Sequence, residues 1–224
     1  SSAHIAALSA REISYLAGNG VDVILSAEPD HQLNLTVEQF KALGSVLLTA
    51  GDKVTLLDSA DNISALTKAD IQGLAGKFID FIDVIGGALS LTVEQYRALG
   101  AVKLTGADTI TLKDTGANIA TLLDTEIGGL AANFVDYIDA YDGTATSHEN
   151  DLSLSVAQYL QLIATSTALT AGDTVILSDT AAKIKTLSAA QKSALASNKI
   201  DVVDANDADL VLTINEANAF SGVK

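Results

Sequence analysis

Leu91-Thr92-Val93-Glu94-Gln95-Tyr96-Arg97-Ala98-Leu99-Gly100 reads as the opening of a short helix. Thr92 is a good N-cap. Gln95, three residues on, can reach back to the Thr92 N–H and complete a capping box. Tyr96 and Leu99 are then the inward side chains of the first turns. The same register returns at Leu35-Thr36 with Gln39, Phe40 and Leu43, at Leu154-Ser155 with Gln158, Tyr159 and Leu162, and at Leu212-Thr213 with Glu216 and Phe220. A looser version lies between these: Leu8-Ser9 with Glu12, Leu66-Thr67 with Asp70, and Leu187-Ser188 with Gln191. Leu122-Leu123 with Glu126 keeps the pattern but lacks the cap hydroxyl. These eight copies make the chain a repeat array, and arrays of this kind are built from units that pack on their neighbours.

A strand precedes most of the helices at a fixed offset. These strands are Val54–Asp58, Ile79–Asp83, Ile110–Asp114, Val135–Asp139, Val175–Asp179 and Ile200–Asp204, each apolar at its first and third positions. One buried strand face requires that alternation. A coil is therefore strand, turn, brief apolar contact, capped helix and return loop, with successive caps 25 to 33 residues apart. Coils alternate in type. One has Ile three residues before the cap-leading Leu (Ile5, Ile63, Ile119, Ile184), the other Leu two residues before it (Leu33, Leu89, Leu152, Leu210). The full period is a pair of coils, 56 residues from Leu35 to Leu91 and 63 from Leu91 to Leu154. The extra length falls in the polar loop Gly143–Asn150, and a smaller insertion holds Glu28-Pro29-Asp30-His31. Loops at a coil corner project without disturbing a stack.

Because a helix separates successive strands, the strands should pair in parallel through right-handed crossovers. The expected fold is α/β: a right-handed strand–helix solenoid of about eight coils, with one parallel sheet along one side and short helices along the other. It reads as one repeat domain over residues 1–224. A doubly wound single sheet fits less well, since the units are too alike and too evenly spaced. The chain opens at Ser1-Ser2, without Met and partway through a repeat, as a segment of a longer protein would.

Composition narrows the function. The net charge of −15 repels nucleic acid and anionic membrane and favours divalent cations. There is no Cys, so neither a disulfide nor a thiolate site exists. No run of about 18 apolar residues argues for membrane insertion. No G-x-G-x-x-G, Walker A or G-x-S-x-G motif is present, and His4, His31 and His148 share no repeat position. The reading is not an enzyme, although a polysaccharide-active solenoid is the enzymatic alternative.

What recurs is aspartate. Asp58, Asp83, Asp114, Asp139, Asp179 and Asp204 hold the same place in six consecutive coils and should form one row on the inward side, about 5 Å apart. Such a row is either a cation ladder, which Ca2+ would suit, or a turn ladder in which each Asp accepts backbone N–H bonds. The turn ladder is the stronger reading because Asp is a strong Asx-turn former. Asp80, Asp136 and Asp201 should point outward as solvated residues of the sheet face. Tyr137, Tyr141 and Tyr159 lie near the Gly143–Asn150 loop and could stack on sugars, though Tyr137 and Tyr159 sit at core-type positions.

The segments Leu104-Thr105-Gly106-Ala107-Asp108-Thr109-Ile110-Thr111-Leu112 and Asp114-Thr115-Gly116-Ala117-Asn118-Ile119-Ala120-Thr121-Leu122 resemble repeats of large, acidic, cysteine-free bacterial surface proteins exported by type I secretion, many of which carry RTX calcium repeats. That resemblance implies a secreted or cell-surface protein with an adhesive, matrix or scaffolding role. Its partners would be other domains of the same protein, a surface glycan or another protein. The RTX nonapeptide G-G-x-G-x-D-x-U-x is absent, so no calcium ligand of that family carries over to a residue here.

Overall fold

The computed structural model describes residues 1–27, 31–141 and 151–224. Two compact units divide the chain, Ser1–Ile110 and Thr111–Lys224. Both are mixed α/β, and the strands fall into three parallel sheets.

In the first unit the elements run α1 (Ser2–Ala6), α2 (Ala10–Gly18), β1 (Gln32–Leu35), α3 (Val37–Ala42), β2 (Lys53–Ser59), α4 (Ala60–Ser64), α5 (Lys68–Gly76), β3 (Phe81–Ile85), β4 (Ala88–Leu91), α6 (Val93–Ala98) and β5 (Lys103–Leu104). One sheet has the order β1-β2-β3-β5, all parallel. Chain order therefore follows sheet order, except that β4 lies outside it. Gly86 and Gly87, with φ of 102° and 77°, turn the chain between β3 and β4. Side chains with a Cβ rarely adopt that backbone. The turn separates β3 from β4, and the strands lie in three sheets rather than the single sheet expected.

The second unit takes up the chain within β6 (Thr109–Asp114) and continues with α7 (Gly116–Ala120), α8 (Asp124–Gly129), β7 (Val135–Ala140), β8 (Asp151–Leu154), α9 (Val156–Ile163), β9 (Ala168–Leu169), β10 (Thr174–Asp179), α10 (Ala181–Thr186), α11 (Ala189–Ser193), β11 (Val202–Ala205) and α12 (Ile214–Ala219). One sheet has the order β8-β10-β11, and another carries β6, β7 and β9 in that order.

All eight capped helices form where the repeated motif places them, at α2, α3, α5, α6, α8, α9, α11 and α12. Ser9, Thr36, Thr67, Thr92, Ser155, Ser188 and Thr213 each accept the N3 backbone N–H, and the N3 side chain accepts the cap N–H in return. Leu123 has no side-chain oxygen, so only the Glu126 carboxylate closes that box, 2.7 Å from the Leu123 N–H. The brief apolar contact is itself a helix: Ser59, Thr115 and Thr180 cap α4, α7 and α10, which bury Ile63, Ile119 and Ile184. The core is mainly Leu, Ile and Val, with Leu33, Val54, Ile82 and Leu104 lining the first sheet and Leu152, Val175, Leu177 and Leu195 among the second unit's core.

The short helices also protect the first strand of each repeat. α1 packs on β1, α4 on β4 and α7 on β8. An uncovered edge strand invites pairing with another chain, and a helix laid over it blunts that hazard. The approach of α7 is so close that a Cβ on Gly116 would overlap the Asp151 carbonyl oxygen.

Candidate functional site

The recurring aspartates do not form one row. In the first sheet the residue opposite Asp58 is Val84, and the residue opposite Asp83 is Leu57. In the β8-β10-β11 sheet Asp204 faces Ser178 and Asp179 faces Ala205. The reason lies just upstream. Phe78, Phe134 and Lys199 adopt φ near 60°. The alternation then slips by one residue, so that Asp80 and Phe81, and likewise Asp136 and Tyr137, are successive residues off the core. Asp83 and Asp139 are thereby carried to the outward side, contrary to strict parity. Tyr137 is likewise 41% exposed rather than a core residue, whereas Tyr159 is fully buried.

Asp58, Asp114 and Asp179 keep the inward parity and close turns. Asp58 accepts the Ser59 N–H at 2.7 Å, the Asn62 side-chain amide at 2.8 Å and the Val37 N–H at 2.9 Å. One carboxylate therefore ties the start of α4 to the start of α3, where unpaired N–H groups need acceptors. Asp114 accepts the Thr115 N–H at 2.8 Å and the Asn118 amide at 2.7 Å. Asp179 accepts the Thr180 N–H at 2.8 Å and the Val156 N–H at 3.1 Å, with Lys183 Nζ at 3.3 Å. Burial pushes Asp58 and Asp179 up, but the donors aimed at them outweigh it and hold both carboxyls below the ordinary aspartate range.

The aspartates expected to be merely solvated also work on the backbone. Asp80 accepts the Val54 N–H and Asp201 the Val175 N–H, each at 2.9 Å. Asp136 occupies the equivalent place in β7.

A third set escaped the sequence reading. Thr49-Ala50-Gly51-Asp52, Thr105-Gly106-Ala107-Asp108 and Thr170-Ala171-Gly172-Asp173 are the same turn, and each Asp stands two residues before the first buried residue of β2, β6 or β10. The recurring Thr-x-x-Asp spacing is the signal that could have found them. Asp52 accepts the Ser26 N–H at 3.1 Å, Asp108 the Val84 N–H at 3.1 Å and Asp173 the Ala140 N–H at 3.2 Å. Asp52 is 5% exposed. Its burial raises its pKa, but the Thr49 hydroxyl, the Ser26 N–H and His31 together hold it low. Asp173 goes the other way: burial pushes it up, against the Ala140 N–H and Thr170 hydroxyl, and the charge of Asp139 adds to the rise.

The outward aspartates face hydroxyls. Thr105 Oγ1 lies 2.7 Å from Asp83 Oδ1 and 2.8 Å from Asp108 Oδ2. Thr170 Oγ1 lies 2.9 Å from Asp139 Oδ1 and 3.0 Å from Asp173 Oδ2. Asp139 also pairs with Lys113 at 2.8 Å, and Asp204 accepts the Ser178 hydroxyl at 3.1 Å.

The capping-box glutamines have a second task that the box alone does not reveal. Gln95 Oε1 accepts the Thr92 N–H at 2.9 Å, while its Nε2 donates to the Ser64 and Leu66 carbonyls, both at 2.8 Å. Gln39 clamps Ala6 and Leu8 in the same way, and Gln158 clamps Ala120 and Leu122. Those carbonyls belong to the last turn of the preceding coil's short helix and the residues after it, where intrahelical donors run out. Glu12, Asp70 and Glu126 cap helices of the other coil type, where the box needs only an acceptor.

In the second unit a cleft between the end of α9 and β9 is lined by Leu162, Thr165, Thr167, Leu169, Asn198 and Lys199. Its Thr167 hydroxyl donates to the Val135 carbonyl and its Asn198 amide to the Tyr159 hydroxyl, so both groups hold the fold. Near β7, Tyr141 is 42% exposed with Lys113 Nζ 4.2 Å above its ring. The Glu28–Asp30 insertion and the Gly143–Asn150 loop, including His148, lie outside the described residues. Among the described residues no group of three or more His, Asp and Glu side chains is placed to hold a metal ion, and no helix is long and apolar enough to cross a membrane. No family model, no curated protein and no solved structure matches the chain.

Proposed function

We propose that the chain is a structural and interaction repeat module of a secreted or cell-surface bacterial protein, built as a right-handed strand–helix solenoid of about eight coils. Its role would be adhesive, matrix-forming or scaffolding, and its neighbours would be further domains of the same protein. The observation that carries this reading is the recurrence of one bond set. Within each unit, aspartate carboxylates accept amides of the adjoining coil, and glutamine amides donate to its carbonyls. The recurring chemistry of the repeat serves to hold coil to coil.

Removing one period tests the solenoid. Deleting Thr36–Leu91 joins Leu35 to Thr92 in unchanged register. The shortened chain should keep its helical circular dichroism per residue and melt cooperatively. A closed, non-repetitive domain would lose its core and stay unfolded.

A second reading rests on the half-exposed Tyr137 and Tyr141, with Lys113 over the latter ring. Aromatic faces of this kind suit a carbohydrate or protein ligand. Saturable binding on a glycan or protein array, lost in Tyr137→Ala/Tyr141→Ala, would establish it over a purely structural role. Turnover of a polysaccharide by the purified chain would overturn both readings.

A further inference from the structure

β1 and β8 each open a sheet and lead directly into a capped helix, and the chain shows what covers such a strand. β2 lies beside β1 in the register Leu33 to Val54 and Leu35 to Leu56. β10 lies beside β8 in the register Leu152 to Val175 and Leu154 to Leu177. Two residues beyond the second pair, Asp58 accepts the Val37 N–H and Asp179 the Val156 N–H. Leu33, Leu35 and Val37 are buried as a result, and so are Leu152, Leu154 and Val156.

The same segment occurs once more in the second unit. Asp209-Leu210-Val211-Leu212 leads into α12 as Gln32–Leu35 leads into α3 and Asp151–Leu154 into α9. Among the described residues no strand lies beside it. Leu210 and Leu212 are only part-buried, and Ile214 is 81% exposed where its counterpart Val156 is 4% exposed. The Ile214 N–H holds the place of those that Asp58 and Asp179 meet. The segment is fixed at both ends: Asp207 accepts the Ala181 N–H at 2.7 Å at the start of α10, and Glu216 accepts the Thr213 N–H at 2.9 Å. Val211 stands where β1 and β8 have Asn34 and Ser153, and a β-branched residue suits a paired strand.

We propose that Asp209–Leu212 is a docking strand, which takes an extended polypeptide of a partner molecule in parallel, with the pattern Val/Ile-x-Leu-x-Asp. That pattern is common to Val54–Asp58, Ile110–Asp114 and Val175–Asp179. The docked Val or Ile lies opposite Leu210 and the docked Leu opposite Leu212, while the Asp accepts the Ile214 N–H. Main-chain bonds of the added strand supply affinity, and the alternate side chains supply selectivity. An open strand edge offers a row of N–H and C=O groups, which a polypeptide backbone matches and a glycan does not. A second copy is a poor donor, because its own three strands of this pattern already lie within sheets.

The proposal rests on the solenoid reading above, since it carries the register of β1 and β8 over to a further coil. The test is titration of the whole, isotope-labelled chain with a blocked peptide copying Thr170–Thr180, read by amide NMR and hydrogen exchange. Saturable shifts should centre on Leu210–Ile214, with slowed exchange there and β8 unchanged. In the peptide, Asp179→Asn should weaken binding several-fold, since a charge-assisted bond is lost, and Val175→Asp/Leu177→Asp should abolish it. These changes lie in the peptide, so the fold of the chain is the same in every arm. The proposal is overturned if no saturable binding occurs, if the Asp179→Asn peptide binds as well as the parent, or if the shifts fall on β8, which would mean exchange with β10. Self-association of the chain through the same amides, seen in sedimentation, would also overturn it in favour of a second copy. Absent peptide binding while the Thr36–Leu91 deletion still folds would sink this inference alone and leave the solenoid standing.

Discussion

Gln95→Glu isolates the link between coils from the helix cap. The glutamate retains an oxygen for the Thr92 N–H, as Glu12 does for Ser9. It loses both Nε2 donors, and with them the bonds to the Ser64 and Leu66 carbonyls. Each lost bond, with its acceptor left unpaired, costs about 1–2 kcal/mol. Gln95 is 9% exposed, so little water can replace the lost donors, and a carboxylate charge now faces two carbonyl oxygens. The sum is a destabilisation of about 2–4 kcal/mol at pH 7. With a urea slope of about 2 kcal/mol/M, the midpoint should fall by about 1–2 M at unchanged slope. Gln158→Glu should behave alike in the second unit, where the acceptors are Ala120 and Leu122. Glu12→Gln, at an exposed cap, should leave the midpoint nearly unchanged. Acidification should narrow the Gln95→Glu penalty, because a protonated glutamate regains one donor. If Gln95→Glu and Glu12→Gln prove equally harmless, the carbonyl clamp contributes nothing and the coil–coil account fails.

Gly116→Ala should cost about 1–3 kcal/mol through overlap with the Asp151 carbonyl, whereas Gly129→Ala, with open space around its Cβ position, should be neutral or stabilising; thermal melts of the two variants decide. Stability should decline as pH falls below about 4, since Asp52, Asp58 and Asp179 have lowered folded pKa values and their contribution is present only above the unfolded value. A urea series from pH 7 to pH 3 reads this; Asp173, whose carboxyl is raised, acts in the opposite direction, so a flat profile would mean that the amide locks contribute no more than that one group. Leu74→Ala or Leu130→Ala should each cost about 2–5 kcal/mol, because both side chains are fully buried; an unchanged denaturation midpoint would mean that the layer register is wrong.

Much of the fold was legible because its signals are local. A hydroxyl at the cap and an acceptor three residues later define a helix start whatever surrounds them, so all eight helices could be placed. The paired-coil period also survives in the strand starts, since β1, β4 and β8 occupy equivalent places. What was hidden depends on backbone departures that composition does not announce. Phe78 and Phe134 at positive φ shift strand parity, and so Asp83, Asp139 and Tyr137 could not be assigned to a face by counting. The Gly86-Gly87 turn, which separates β3 from β4, was hidden for the same reason. The inward aspartates were read as turn acceptors, but their reach to Val37 and Val156 in the adjoining coil is a tertiary fact. Nor could the difference between glutamine and glutamate in a capping box be weighed before the Ser64 and Leu66 carbonyls were in place.

The central claim is that the aspartates hold this array together by accepting backbone amides and hydroxyls, not by ligating metal. Thermal melting of the whole chain at pH 7 in chelator, in millimolar calcium and in millimolar magnesium tests it most directly. The account predicts a cooperative transition in chelator and small, equal upward shifts for the two cations, as screening of fifteen net negative charges would give. Unfolding in chelator, or a large shift for calcium and none for magnesium, would contradict it.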